Sequence, residues 1–152
     1  MARLLIVAHA PLASALQSVA QHAFPELARC VLALDVWPQS RSEEVEAQAR
    51  ALLHENEDDE PQDTLILTDV FGATPTNVAQ RLADGVRVRV LAGVNVPMLW
   101  RALNYAQLPL DELVTRSMAG ATQGVLPVAS TRPQNQAYQP QAHDSHKHHH
   151  QQ

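Results

Sequence analysis

The fold is decided by a short apolar run near the start of the chain, Arg3-Leu-Leu-Ile-Val-Ala8, which is followed at once by His9. A run of this kind predicts a β-strand. Pro11 comes next, and it opens a segment whose apolar residues recur at helical spacing. The sequence therefore predicts that His9 stands where a strand ends and a helix begins.

Three further apolar runs alternate with segments of helical periodicity, which is the pattern of βαβ units that build a parallel sheet. Strands are predicted at about residues 3–8, 30–36, 64–70 and 87–92, each followed by a helix. A later run, Val125-Leu-Pro-Val128, offers a short extra strand, and its proline would confine it to a sheet edge. The expected fold class is α/β: a doubly wound, mainly parallel sheet of four strands plus a short C-terminal edge strand, with helices on both faces.

Local signals predict where several helices begin. Pro11 suits the first turn of the first helix, where no N–H donor is needed. Ser40-Arg-Ser-Glu43 has the spacing of a capping box and predicts the start of the second helix. The third helix is predicted to begin near Pro75 or Thr76, and the last to span about residues 110–119.

Composition bounds the class of protein. The 152 residues are 45% hydrophobic and 18% charged, which suits one globular domain with a single core. The net charge of -5 and the scattered basic residues argue against a nucleic-acid partner. Cys30 is the only cysteine, so a reducing, cytoplasmic compartment is expected. No apolar run approaches the roughly 18 residues that span a bilayer, so membrane insertion is not expected.

The last part of the chain differs in composition from the rest. We expect one domain over residues 1–129 and a disordered tail rich in Gln, Pro and His over residues 130–152. The tail holds five of the eight histidines, including His148, His149 and His150. A flexible polar tail with incidental metal binding is the favoured interpretation, and metal binding itself is left open. The domain itself shows no convincing metal site and no sign of a cofactor.

Asp69 occupies the place that matches His9, because it closes the apolar run Thr64-Leu-Ile-Leu-Thr68. If these two strands are neighbours, an imidazole and a carboxylate meet at the carboxyl edge of the sheet, where open α/β folds keep their sites. A carboxylate that accepts a hydrogen bond from one ring nitrogen leaves the other as a nucleophile. The natural electrophile is a phosphoryl group transferred in line.

Groups that would hold the phosphoryl oxygens follow Asp69. The start of the first helix, the N–H groups of Gly72, Ala73 and Thr74, and the Thr74 hydroxyl are all candidates. Each also has a structural interpretation: Asp69 and Thr74 are possible helix caps, and Gly72 a turn residue. Asn95 is a candidate supporting residue that would equally serve to satisfy backbone groups.

Other chemistries find less support. The glycines are too dispersed for a dinucleotide fingerprint, and neither a phosphate loop nor a nucleophile elbow is present. The outside alternative is a hydrolase that uses His9 as a base and Ser14 or Thr74 as the nucleophile.

At these residues the sequence resembles the IIA domains of the mannose-type branch of the bacterial phosphoenolpyruvate-dependent sugar phosphotransferase system. The resemblance rests on the strand that ends at His9, on Asp69-Val-Phe-Gly-Ala-Thr-Pro-Thr-Asn77 and on Ala92-Gly-Val-Asn-Val-Pro-Met-Leu99, and it covers residues 1 to about 128. It implies that His9 is phosphorylated transiently, that Asp69 orients its ring, and that the ring nitrogen away from Asp69 carries the phosphoryl group.

The resemblance also implies partners. The donor would be the phosphocarrier protein HPr, and the acceptor would be a separate IIB protein. The resemblance also allows this protein to associate with a membrane complex of IIC and IID proteins. Relatives form homodimers that exchange a C-terminal strand, which would explain residues 125–128. Ala8 and Ala10 depart from the hydroxyl residue and the glycine that many relatives have beside the histidine. A regulatory module, whose His9 phosphorylation controls a partner without sugar transport, is the alternative.

Overall fold

The computed structural model describes residues 1–55 and 60–131, and the predicted tail lies outside these residues except for its first two, 130 and 131. The described residues form one parallel sheet of four strands, in the order β2-β1-β3-β4. The strands are β1 (Arg3–His9), β2 (Val31–Val36), β3 (Thr64–Thr68) and β4 (Val88–Ala92). Each lies within two residues of its predicted bounds, so the parallel α/β sheet expected from the sequence is confirmed.

Helices cover both faces of the sheet. They are α1 (Leu12–Ala23), α2 (Ser42–His54), α3 (Thr74–Leu82), α4 (Val96–Asn104) and α5 (Leu110–Gln123), with a 3-10 turn at Leu27–Cys30. In β1, Leu4 and Ile6 pack with α1, α4 and α5, whereas Leu5 and Val7 pack with α2 and α3. The continuous apolar run is thus explained by burial of both faces of the strand.

The strand order places a topological switch point between β1 and β3. The chain leaves β1 for β2 on one side and then crosses to β3 on the other, and both neighbours pair parallel to β1. Val7 and Thr68 form the last residue pair between β1 and β3, and His9 and Asp69 come shortly after these two residues. Ligands of open α/β sheets bind in the crevice at such a switch point.

The capping box predicted at residues 40–43 is not formed. The N-cap of α2 is Arg41, without a side-chain cap, and the helix begins at Ser42. The Ser40 hydroxyl instead accepts a hydrogen bond from the Trp37 N–H at 3.2 Å. Ser40 therefore closes the turn that follows β2 instead of capping α2. Serine side chains commonly form such local hydrogen bonds with nearby backbone groups.

The last helix runs to Gln123, four residues beyond its predicted end. Gly120 does not end it because it is the contact point with α4: a Cβ there would lie 2.7 Å from the Arg101 Cβ. Glycine inside a helix weakens it, and here close helix packing offsets that cost. None of the described helices is long and apolar enough to cross a membrane.

The predicted fifth strand is not formed within the single chain described. Residues 125–131 have no regular secondary structure, and Val125, Leu126 and Val128 are 75%, 65% and 90% exposed. A short segment of this kind has too little apolar area to fold against water without a sheet edge to pair with. Exchange of this segment between two chains stays a prediction.

Candidate functional site

His9 and Asp69 meet at the carboxyl ends of β1 and β3, as predicted. The Nδ1 atom of His9 lies 2.7 Å from Oδ2 of Asp69. The same oxygen accepts the backbone N–H of His9 at 2.9 Å, and Oδ1 accepts the N–H of Val70 at 2.9 Å. Three donors therefore fix the carboxylate, and the carboxylate fixes the ring.

These contacts decide the protonation of the pair. Burial acts to raise the pKa of Asp69, but the hydrogen bonds from His9 and from the Val70 N–H outweigh it and hold the pKa below its usual value. Asp69 is therefore an ionised acceptor at neutral pH, so Nδ1 of His9 must carry the proton it shares with Oδ2. In the neutral ring the lone pair then resides on Nε2.

The ring is open to an approaching molecule. The His9 side chain is 53% exposed, whereas that of Asp69 is 14% exposed. Nε2 makes no hydrogen bond to any of the described residues. The pair thus presents a nucleophilic nitrogen to solvent while its orienting carboxylate is largely covered.

The loop from Asp69 to α3 leaves backbone donors unused. Gly72 adopts a φ of +91°, a left-handed conformation that favours glycine. The N-cap of α3 is Ala73, without a side-chain cap, and Thr74 is the first helical residue, so the alternative in which Thr74 caps the helix is wrong. Among the described residues, no acceptor is found for the N–H groups of Gly72, Ala73 and Thr74.

The start of α1, also expected to face the phosphoryl oxygens, is already occupied. Asp35, near the end of β2, accepts the Ser14 N–H at 3.0 Å and the Ser14 hydroxyl at 2.6 Å. A carboxylate at a helix N-terminus satisfies its donors and complements its dipole. Because the Ser14 hydroxyl is held by Asp35 rather than by His9, the serine–histidine pair of the hydrolase alternative is not formed.

Asn95 has a structural role. Its Oδ1 accepts the Met98 N–H at 2.8 Å as the N-cap of α4, and its Nδ2 donates to the Ala121 carbonyl at 3.2 Å. Both ends of the amide are therefore engaged in joining α4 to α5. Of its two interpretations, the one in which Asn95 satisfies backbone groups agrees with these contacts.

An apolar rim lies at the same edge of the sheet as the pair. We give this name to four side chains that follow the ends of the first three strands, all at least one third exposed: Leu12 at the start of α1, Trp37, Val70 and Phe71. Phe71, two residues from Asp69, is 74% exposed, which is unusual for a large aromatic side chain. Large exposed apolar side chains at one edge of a fold are typical of a surface that binds other molecules.

Sequence reasoning missed Asp35, Thr68 and Thr76. The hydroxyls of Thr68 and Thr76 lie 2.7 Å apart, and that of Thr76 donates to the Val70 carbonyl at 2.7 Å. Asp35 is a charged residue in an otherwise apolar strand, which was an available signal. Among residues 1–55 and 60–131, no three His, Cys, Asp or Glu side chains are grouped to hold a metal ion.

The sequence matches the model of one protein family. The family model described as the PTS system fructose IIA component, EIIA-man, matches residues 3–118, well over half of the chain. The chain belongs to the EIIA-man family. The suspected relationship to phosphotransferase-system IIA domains is thus confirmed, and with it a role in that system.

Solved structures agree with this membership. The EIIA component of the phosphotransferase system from Streptococcus agalactiae is 26% identical with a TM-score of 0.71, and the match covers 84% of this chain and 97% of that one. The mannose/sorbose-specific IIA subunit from Enterococcus faecalis shares the fold at 23% identity and a TM-score of 0.76, over 86% and 97% of the two chains. No curated protein matches the sequence.

Proposed function

We propose that this EIIA-man protein accepts a phosphoryl group from phospho-HPr on His9 and passes it to a separate IIB protein in the cytoplasm. The observation that carries the proposal is the 2.7 Å contact between Nδ1 of His9 and Oδ2 of Asp69 at an exposed switch point. It supplies an imidazole of defined tautomer, which phosphoryl transfer to a histidine requires.

The transfer is a displacement at phosphorus. The Nε2 lone pair of His9 attacks the phosphoryl group on the donor histidine, a new N–P bond forms, and the donor N–P bond breaks with its electrons returning to the donor ring. The His9 ring, still protonated on Nδ1, then carries positive charge. Asp69 stabilises this charge through the hydrogen bond that already exists. The same steps run onward to the IIB acceptor.

The free N–H groups of residues 72–74 are the proposed contacts for the phosphoryl oxygens, together with the Thr74 hydroxyl. They lie on the loop that begins at Asp69 and ends at the N-terminus of α3, where backbone donors and the helix dipole favour an anion. The start of α1 is left out of this role because Asp35 already occupies it. Ala8 adds no contact, since it is fully buried.

The apolar rim supports proteins, rather than a small molecule, as donor and acceptor. Exposed aromatic side chains such as Trp37 and Phe71 are the type of residue that anchors protein interfaces. The rim lies at the same edge of the sheet as His9, so a partner that docks on it would bring its own phosphohistidine or acceptor group toward Nε2.

The proposal is tested by labelling the full chain with phosphoenolpyruvate, Enzyme I and HPr, and locating the phosphoryl group by mass spectrometry. We expect one group, on His9, and its rapid loss when a IIB protein is added. Absence of labelling would refute the proposal. Retention of the label with altered binding of another protein would replace the carrier role by the regulatory one.

We also propose that the chain forms a homodimer in which residues 125–128 are exchanged. Among the described residues no strand pairs with the outer edge of β4, and the exposed apolar segment begins beside it, where Val125 shares a groove with Ala92, Met98 and Met118. Sedimentation should give twice the 16.7 kDa of one chain. A chain that stops after Gly124 should sediment as a monomer and one that stops after Ser130 as a dimer; a monomeric full chain would contradict the proposal.

A further inference from the structure

The loop that carries Asp69 is anchored by two buried threonines. Thr68, at the end of β3, is fully buried, and Thr76, in the first turn of α3, is 2% exposed. Their hydroxyl oxygens are 2.7 Å apart. The hydroxyl of Thr76 also lies 2.7 Å from the carbonyl oxygen of Val70. A chain of hydroxyls thus runs from the strand end, through the helix start, to the loop between them.

The direction of these hydrogen bonds follows from the number of protons. A carbonyl can only accept, so the single hydroxyl proton of Thr76 is donated to Val70. Thr76 therefore accepts in its contact with Thr68, and Thr68 is the donor. Thr76 is the member that holds the loop, and Thr68 acts only on Thr76.

The anchored peptide group lies next to the orienting carboxylate. The Val70 N–H donates to Oδ1 of Asp69 at 2.9 Å, and the Val70 carbonyl accepts from Thr76. Both polar groups of Val70 are thus engaged although its side chain is half exposed. Within the described part of the chain, Thr76 is the only partner of that carbonyl.

We propose that Thr76 is a positioning residue for phosphoryl transfer: by holding the Val70 carbonyl it fixes the Asp69 carboxylate that orients His9. The proposal rests on the phosphocarrier function proposed above. A loop that is free to shift would let Oδ2 move away from Nδ1, and small displacements of an orienting group reduce rates strongly.

Three variants test this role. Thr76→Val keeps the shape but removes the donor, Thr76→Ser keeps the donor, and Thr68→Val removes a buried hydroxyl without breaking the Thr76–Val70 bond. We expect Thr76→Val to slow labelling by phospho-HPr about tenfold. Thr76→Ser should restore the rate to within about twofold of the wild type, and Thr68→Val should stay within about threefold.

A double variant separates positioning from stability. Thr68→Val combined with Thr76→Val replaces both hydroxyls by apolar side chains of the same shape, so no buried hydroxyl is left without a partner and only the Val70 carbonyl loses its hydrogen bond. Its thermal unfolding midpoint should lie closer to that of the wild type than the midpoint of Thr76→Val, while its transfer rate should be as low as that of Thr76→Val. The double variant also provides the test of positioning if Thr76→Val alone does not fold.

The ring nitrogens of His9 provide a readout that needs no partner protein. In the unphosphorylated wild type, ¹⁵N NMR should show one tautomer with the proton on Nδ1, and Thr76→Val should show a mixture of the two. Wild-type ring signals and rates in the double variant would overturn the proposal. If the wild type itself is not labelled, the phosphocarrier function fails, but the ring signals still test the positioning role.

Discussion

Replacement of His9 by alanine is expected to abolish phosphoryl labelling of the chain by phospho-HPr. The other two histidines of the described residues lie in helices, His22 in α1 and His54 at the last residue of α2, so neither stands at the switch point. The fold should be little affected, because the His9 side chain is 53% exposed and Asp69 still accepts hydrogen bonds from the backbone N–H groups of residues 9 and 70. We expect the free energy of unfolding to change by less than about 1 kcal/mol.

Histidines elsewhere provide the matched controls for this variant. His22, in α1, is exposed and takes no part in the site, so His22→Ala should be labelled at the wild-type rate. A chain in which the five histidines of the tail are replaced by alanine should behave in the same way. Label that persists in His9→Ala and disappears from the tail variant would place the acceptor in the tail and refute the proposed site.

The sequence predicted the strands and the central pair because both depend on local signals. A buried parallel strand is a short apolar run, and a polar residue that ends it must lie at the sheet edge. His9 and Asp69 each satisfied this rule in neighbouring strands. Their contact could therefore be predicted once the strand order was assumed.

The residues that sequence reasoning missed act through tertiary contacts. Asp35 binds Ser14 at the start of α1, which lies 21 residues earlier in the chain, and the contact exists because β2 lies beside β1. For Thr76 the sequence predicts only a place near the start of α3, because its hydrogen-bond partners depend on how α3 packs near β3. Residues 125–128 form no strand with the described residues, so their exchange with a second chain stays a prediction.

Asp69→Asn is expected to slow phosphoryl transfer by about 10²- to 10⁴-fold, by analogy with the loss caused by the same change in a catalytic triad. Asp69 accepts two hydrogen bonds from His9 on Oδ2 and one from Val70 on Oδ1. An amide has one oxygen, so it cannot accept at both places. If its NH₂ group faces His9, Nδ1 must become the acceptor, Nε2 gains the proton and the nucleophilic lone pair is lost.

The matched control is Asp35→Asn, which removes the same charge at the same edge of the sheet. Asp35 contacts Ser14 and makes no contact with the histidine, so its variant should transfer phosphate within about threefold of the wild-type rate. The comparison separates tautomer control from general electrostatics, because only loss of the carboxylate on Nδ1 changes which nitrogen is protonated. Equal slowing of the two variants would show that negative charge alone matters, and wild-type kinetics in Asp69→Asn would remove Asp69 from the mechanism.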